Sequence, residues 1–360
     1  MSISELQQLP LAAPWAATTG PDGDVVVSSR IRLARNLADH AFPHAASESQ
    51  RAKYGEIVTR AVRDELTPDP FGADAIEIEP ADLSAADRGF LAERSLADRN
   101  MPARLFVGHD ERLVVQVDGA DHLRIVALRS GSDLAAALDA ARRVDQTLER
   151  VLNYAVAMDW GYLSSEITNL GTAMRASVLV HVPALAALGR LEPMSASMEN
   201  SGYEFVPFFG DESLGAGDEA SALKSGLCLL RNRRTLGSDE DAIISKLEDY
   251  TTKLVHYERA GRDELRTAQS EEIADSANRA LGILRFARSL SAVEARSLVS
   301  HLRLGVVSEL VAHVAVETVT SLLLANQDSH IGRHVREGDG EDIDTARARV
   351  FRDMLARSQA

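Results

Sequence analysis

The placing of strand-forming runs constrains the fold of this chain more than any other feature. Val25-Val26-Val27, Leu105-Phe106-Val107, Leu113-Val114-Val115, Leu123-Arg124-Ile125-Val126 and Leu227-Cys228-Leu229-Leu230 are short, apolar and bounded by polar turns. All fall within the first 250 residues. The last hundred residues carry no such run and read as helix almost to the end, with Ser291 and Glu294 spaced as a capping box. Helical spacing predicts helices at about 47–65, about 82–98 and 134–158, the last capped by Ser132. Ser238 and Asp241 open another long helix toward Gln269. Pro183 sits inside the apolar segment 174–188, where it would kink or end a helix. The stretch 190–224 is rich in Gly, Ser, Asp and Glu and reads as a mobile loop around Phe205-Val206-Pro207-Phe208-Phe209. The pattern gives an α+β protein: a flexible arm (1–20), a sheet-and-helix domain (21–250) and a helical C-terminal domain (251–360).

Composition removes whole classes of function. The 360 residues hold 39 Lys and Arg against 54 Asp and Glu, a net charge of -15. Such a chain does not present a nucleic-acid surface or bind anionic membranes as its main role. One cysteine, Cys228, excludes an internal disulfide framework and a cysteine-rich zinc site. No apolar run approaches the roughly 20 residues that span a bilayer. The start, MSISELQQLPLAAPW, lacks the features of a secretion signal, so a cytoplasmic location is expected.

Against that acidic background, clustered arginines need a reason. Arg30, Arg32 and Arg35 fall within six residues. In an extended chain, Arg30 and Arg32 point the same way and repel unless an anion lies between them. The guanidinium fork suits bidentate phosphate contact. Arg124 lies in another strand, and Arg175 follows the loop Thr168-Asn169-Leu170-Gly171-Thr172. There is no Walker loop and no G-x-G-x-x-G, so neither a P-loop nor a Rossmann site is indicated.

These strings resemble the ATP:guanido phosphotransferases, the phosphagen kinase family, and most closely its bacterial protein-arginine kinase branch. The resemblance rests on Ser28-Ser29-Arg30-Ile31-Arg32-Leu33-Ala34-Arg35-Asn36, Asp121-His122-Leu123-Arg124-Ile125, Gly161-Tyr162-Leu163-Ser164-Ser165, the 168–172 loop and Met174-Arg175-Ala176-Ser177-Val178. Arg234-Thr235-Leu236-Gly237, Leu281-Gly282-Ile283-Leu284 and Arg303-Leu304-Gly305 continue it. It implies a saddle-shaped antiparallel sheet flanked by helices. It also implies transfer of the γ-phosphoryl of Mg-ATP to a guanidinium, which in this branch belongs to a protein arginine. By resemblance Ser28, Ser29, Arg30, Ile31, Arg32, Arg124, Arg175, Ala176, Ser177, Val178 and Leu179 surround the nucleotide, and Mg2+ arrives with it. No metal site held by the protein itself is expected.

The departures fall at chemistry positions. The family's Asn-Glu-Glu before Asp-His reads Asp118-Gly119-Ala120, which puts Ala120 where the base glutamate is expected. Loss of a general base costs about 10²–10⁴-fold in rate. Glu166-Ile167 replace the family's Cys-Pro, Val206 replaces a phosphate-binding arginine, and Ser95 replaces a base-contacting histidine. In the tail, Ile343-Asp344-Thr345-Ala346-Arg347-Ala348 keeps Asp344 and Arg347 of a phosphoarginine-binding motif but not its first arginine. Two readings follow. One is an ATP-binding regulatory pseudokinase whose partners are protein arginines, a Clp-type chaperone or an active arginine kinase. The other is an active kinase that uses Glu166 as its carboxylate. The stripe Leu302, Leu304, Val307, Leu310, Val311 suits intradomain packing first and a second copy of the chain next.

Overall fold

The computed structural model describes residues 9–66, 70–71, 75–98, 103–208, 225–336 and 340–357. Eight strands make one antiparallel sheet: β1 (Val26–Arg35), β2 (Ile76–Ile78), β3 (Arg104–Val107), β4 (Leu113–Val117), β5 (Leu123–Ser130), β8 (Met174–His181), β9 (Tyr203–Pro207) and β10 (Leu227–Asn232). Their order across the sheet is β2-β3-β4-β5-β1-β8-β10-β9. A separate small hairpin pairs β6 (Val156–Ala157) with β7 (Gly161–Tyr162). The helices are α1 (Glu48–Leu66), α2 (Ala85–Glu93), α3 (Leu134–Glu149), α4 (Pro183–Ala187), α5 (Leu191–Glu199), α6 (Glu240–Phe286), α7 (Ala292–Val307), α8 (Val316–Ala325), α9 (Asp328–Gly332) and α10 (Ile343–Arg357).

Period-two alternation divides the sheet into two unlike faces. On the first, Ile31, Leu33, Ile125, Ala127, Ala176, Val178 and Leu230 join a core with α1, α3 and the first half of α6. The second face is covered only in part. Val27, Leu128, Leu179 and Leu227 pack against Leu284, Leu302, Leu322 and Phe351 of the C-terminal helices. Leu105, Val107, Val114 and Val126 pack against Phe90 and Leu91 of α2. Between these two apolar patches the second face carries arginines.

Helix α6 serves both cores. Ile243, Leu247 and Leu254 lie in the first, and Ala277, Leu281 and Leu284 in the second. Its helical geometry breaks at Gln269, with φ -142° and ψ 37°. The domain boundary expected at residue 250 falls inside the first half of this helix, and the chain changes cores at the kink instead.

Several expectations are corrected. The described part of the supposed flexible arm is packed: Leu9, Ala13, Trp15 and Ala16 are buried. Arg94 holds it by donating to the carbonyls of Leu11 (2.7 Å) and Pro10 (2.8 Å), while pairing with Glu111 at 2.6 Å. Residues 1–8 lie outside the described residues. Helix α2 is shorter than 82–98 and is capped by Ser84 and Asp87. Asp133, not Ser132, caps α3. That helix stops at Glu149 because its continuation is drawn to β1, with Ala155 N–H donating to Asn36 O (2.7 Å) and Ala38 N–H to Asn153 O (2.9 Å). The long helix starts from Asp239 rather than Ser238. Pro183 starts α4, where its missing N–H costs nothing. In place of one loop, 190–207 forms α5 and β9, and 209–224 lies outside the described residues. Leu302, Leu304 and Val311 are buried within the chain, so the stripe that suggested a second copy is occupied. No helix among the described residues is long and apolar enough to cross a membrane.

Candidate functional site

The strand register assembles the arginines. On the second face Arg32 lies directly opposite Arg175, and Arg30 opposite Ser177. Ser177 is in turn opposite Arg231. Arg124, on the other flank of β1, is paired with Ala34. Ser28, Leu179 and Val206 share this face by the same alternation.

These guanidinium groups are not equally engaged. Arg175 is pinned by four contacts: Nε donates to Asn169 Oδ1 (3.0 Å), Nη1 to the carbonyls of Asn232 and Arg233 (3.0 Å each), and Nη2 to Thr168 O (3.4 Å). Arg231 pairs with Glu204 at 2.6 Å. Arg30 donates to Ser95 O at 3.1 Å. Arg124 forms an ion pair with Asp98. Arg32 makes no side-chain hydrogen bond or ion pair among the described residues. The Nε atoms of Arg30 and Arg124 are buried and also lack an acceptor.

The electrostatics follow from that crowding. Burial, with Arg124, Arg30 and Arg175 acting against Asp98, lowers Arg32 to about 9. Burial, opposed by Asp98 and reinforced by Arg124 and Arg231, lowers Arg30 to about 10. Both remain cationic at neutral pH. Burial pushes the Asp98 carboxyl up, but Arg124, Arg32 and Arg30 outweigh it and hold it below its usual range. An unpartnered, half-buried cation among three others, with two more donor atoms unfilled, fits a polyphosphate. Among the described residues no three His, Cys, Asp or Glu groups converge as a metal site. A cavity adjoins Arg30, lined by Trp15, Ser28, Ser95, Ser177, Leu229 and His330.

The predicted residues separate by face. Ser29, Ile31, Ala176 and Val178 are buried on the first face. Ser29 Oγ donates to Gly131 O at 2.7 Å. These four can offer a ligand on the arginine face backbone groups at most, not side chains.

The catalytic positions are equally distinct. Ala120 sits in the β4–β5 turn, closed by Asp118 N–H to His122 O (3.0 Å) and Gly119 N–H to Asp121 O (3.1 Å). Asp118 is taken by Arg51 (3.2 Å) and by the Tyr54 hydroxyl. Asp121 Oδ1 accepts from Asn36 Nδ2 (2.7 Å), Ser164 Oγ (2.9 Å) and Ser165 N–H (3.0 Å), while its Oδ2 is buried without a partner. His122 is a structural group: Nδ1 accepts from Leu37 N–H (2.9 Å), so Nε2 donates to Ala41 O (3.0 Å). Glu166 is exposed, and its Oε2 accepts from Asn169 Nδ2 at 3.0 Å. Asn169 therefore joins Glu166 to Arg175. Val206 lies opposite Leu229 and brings no charge to the face.

Two further positions are buried. Arg347 is fully buried, donating to Leu290 O (2.8 Å) and Asn326 O (3.3 Å) and pairing with Asp344 (2.5 Å) and Asp328. Asp344 and Arg347 thus bind each other, and this side chain is not free to take a phosphoarginine. Cys228 is buried in the core, and burial pushes its thiol up to about 12. The sequence reading missed Asp98, Asn232 and Arg231. Alternation within β10 could have placed Arg231, but nothing local marks Asp98 or Asn232.

The chain belongs to the ATP:guanido phosphotransferase family. The model of that family's C-terminal catalytic domain matches residues 79–261, and the protein-arginine kinase McsB C-terminal domain matches 270–360. Several curated relatives are named protein-arginine kinase. One from Desulforamulus reducens is 31% identical across 100% of this chain and 98% of its own length. Another, from Symbiobacterium thermophilum, is 33% identical across 95% and 96%. Solved structures confirm the fold. The duplicated taurocyamine kinase from Schistosoma mansoni superposes with a TM-score of 0.56 at 20% identity, over 76% of this chain and 38% of that one. Lombricine kinase gives 0.56 at 18%, over 70% and 72%.

Proposed function

We propose that this chain binds the phosphates of Mg-ATP on the arginine face and acts as a regulatory pseudokinase of the protein-arginine kinase type. The observation that carries the reading is Arg32: a cation lowered to about 9 with no partner among the described residues, facing Arg175 and flanked by Arg30 and Arg124. Ser28, Ser177 and the cavity beside Arg30 would receive the rest of the nucleotide, and Mg2+ would be carried by its phosphates. The transfer step is impaired because Ala120 has no carboxylate and Asp118 is already bound to Arg51 and Tyr54. Its partners are then protein arginines, a Clp-type chaperone or an active arginine kinase.

Calorimetric titration with Mg-ATP should show binding that Arg32→Ala weakens by about tenfold to a hundredfold, as expected for a charge-assisted contact worth roughly 1.5–3 kcal/mol. Mass spectrometry of a denatured basic protein after incubation with Mg-ATP should show little phosphoarginine. Rapid phosphoarginine formation, abolished by Arg124→Ala, would sink the pseudokinase reading.

One arrangement favours the second reading, an active kinase with a rearranged site. The Glu166–Asn169–Arg175 chain holds a carboxylate at the edge of the arginine cluster. If phosphoarginine does form, Glu166→Gln should cut its rate about a hundredfold. An unchanged rate removes Glu166 from the mechanism.

A further inference from the structure

The string Leu281-Gly282-Ile283-Leu284 has no part in the arginine face. It lies in the second half of α6, where Leu281 and Leu284 belong to the core of the C-terminal helices. Helical spacing places Arg279, Gly282, Ile283 and Phe286 together on the opposite side of that helix. Phe286 is 79% exposed, and Arg279 and Ile283 are exposed beside it. Val293, in the first turn of α7, is exposed as well. Gly282 stands in the middle of the stripe, and a Cβ there would meet no atom within 4 Å. A glycine inside a helix weakens it, and nothing among the described residues packs closely enough to require this one. The bare spot it leaves lets a second backbone come close.

The charge around the stripe has one sign. Residues 276–293 include Arg279, Arg285 and Arg288 and no Asp or Glu, in a chain of net charge -15. Arg352 of α10 joins them by donating to Ala287 O at the end of α6. None of the four has a carboxylate partner among the described residues. The next acidic positions along these helices, Asp275, Glu294 and Asp353, are exposed and pair with none of them. Exposed aromatic and apolar side chains set among arginines have the composition of a protein interface. Pairing of this face with its own copy would set Arg279 and Arg288 against like charges, so a second copy is not what it fits. We propose that the face docks an acidic amphipathic helix of a partner protein. The partner's apolar stripe would cover Ile283 and Phe286, its backbone would cross at Gly282, and its carboxylates would pair with the surrounding arginines. The proposal goes beyond the nucleotide reading and uses no residue of the arginine face.

The test titrates the full chain with a fluorescein-labelled peptide that carries leucines on one helical face and glutamates on the other, read by anisotropy. A chain of net charge -15 repels such a peptide elsewhere, so saturable binding must be local. Phe286→Ser should weaken binding about tenfold. Arg279→Glu with Arg288→Glu should weaken it as much, and should make the chain bind a lysine version of the peptide instead. Gly282→Gln separates docking from folding. Glutamine fills open space and favours the helix, so the melting temperature should rise while binding falls about tenfold. Absence of saturable binding overturns the proposal. So does equal binding of the lysine peptide by the unaltered chain, or an unchanged affinity in Phe286→Ser. Self-association of the chain that Phe286→Ser abolishes would assign the face to a second copy and overturn it as well.

Discussion

At the residue scale, Asp98 changes the character of the arginine cluster. Its carboxylate holds Arg124 and is felt by Arg30 and Arg32, so a phosphate must compete with a charge the chain supplies itself. Asp98→Asn should therefore tighten ATP or pyrophosphate binding by about two- to fivefold, the equivalent of roughly 0.5–1 kcal/mol for a half-exposed ion pair. Weaker binding in calorimetry would mean that Asp98 orients Arg124 rather than blocking it. Ala120→Glu tests the missing base directly: phosphoarginine formation, followed by mass spectrometry, should rise at least about tenfold. The arginines themselves were legible, because Arg30 and Arg32 two apart in a strand must share a face. Asp98 was not, since its link to Arg124 crosses 26 residues of chain and depends on how α2 is laid over the sheet. Arg347 misled for a related reason. A motif residue retained in sequence can be retained for packing, and burial, not identity, tells the two apart.

Among the elements, the strands were readable wherever apolar residues ran between polar turns, and the helix ends were not. Tertiary hydrogen bonds set those ends, as when Asn36 and Ala38 end α3 by pairing with the segment after it. Segment 174–181 was ambiguous because a strand buried on both faces loses its alternation and looks like any apolar run. Helix α6 meets α4 through Glu258, a buried carboxyl that accepts from the N–H groups of Ala184 (3.1 Å) and Leu185 (3.0 Å). Burial pushes it up to about 7 from an ordinary 4.5, against those two donors and Arg262. Between these values the folded chain keeps a proton that the unfolded chain has lost. Stability from this group is thus present at low pH and falls as pH rises toward 7. Denaturant midpoints of the wild type and Glu258→Gln should diverge across that window, the wild type losing ground as pH rises. Parallel profiles would show that Glu258 is ionised throughout.

For the whole molecule, the division at Gln269 does not make two independent bodies. Val27, Leu128, Leu179 and Leu227 of the sheet complete the core of the C-terminal helices. Leu322→Ala, at the centre of that core, should cost about 2–5 kcal/mol and lower the melting temperature of the entire chain in one transition. Two separate transitions would contradict a shared core. The same architecture governs the order in which the chain can be built. The turn before β1 is tied by Asp24 to Arg259 and Arg262 (2.5 and 2.6 Å), while Gly23 and Asp24 carbonyls accept from Arg303 (2.7 and 3.0 Å). Strand β1 itself is flanked by β5 and β8, neither of which precedes it. At about 5–20 residues per second, a ribosome takes on the order of tens of seconds to deliver Arg303 after β1 has emerged. Its neighbours β5 and β8 emerge within that interval, about 5–30 s after it, so the strand can pair before Arg303 arrives to lock the turn in front of it.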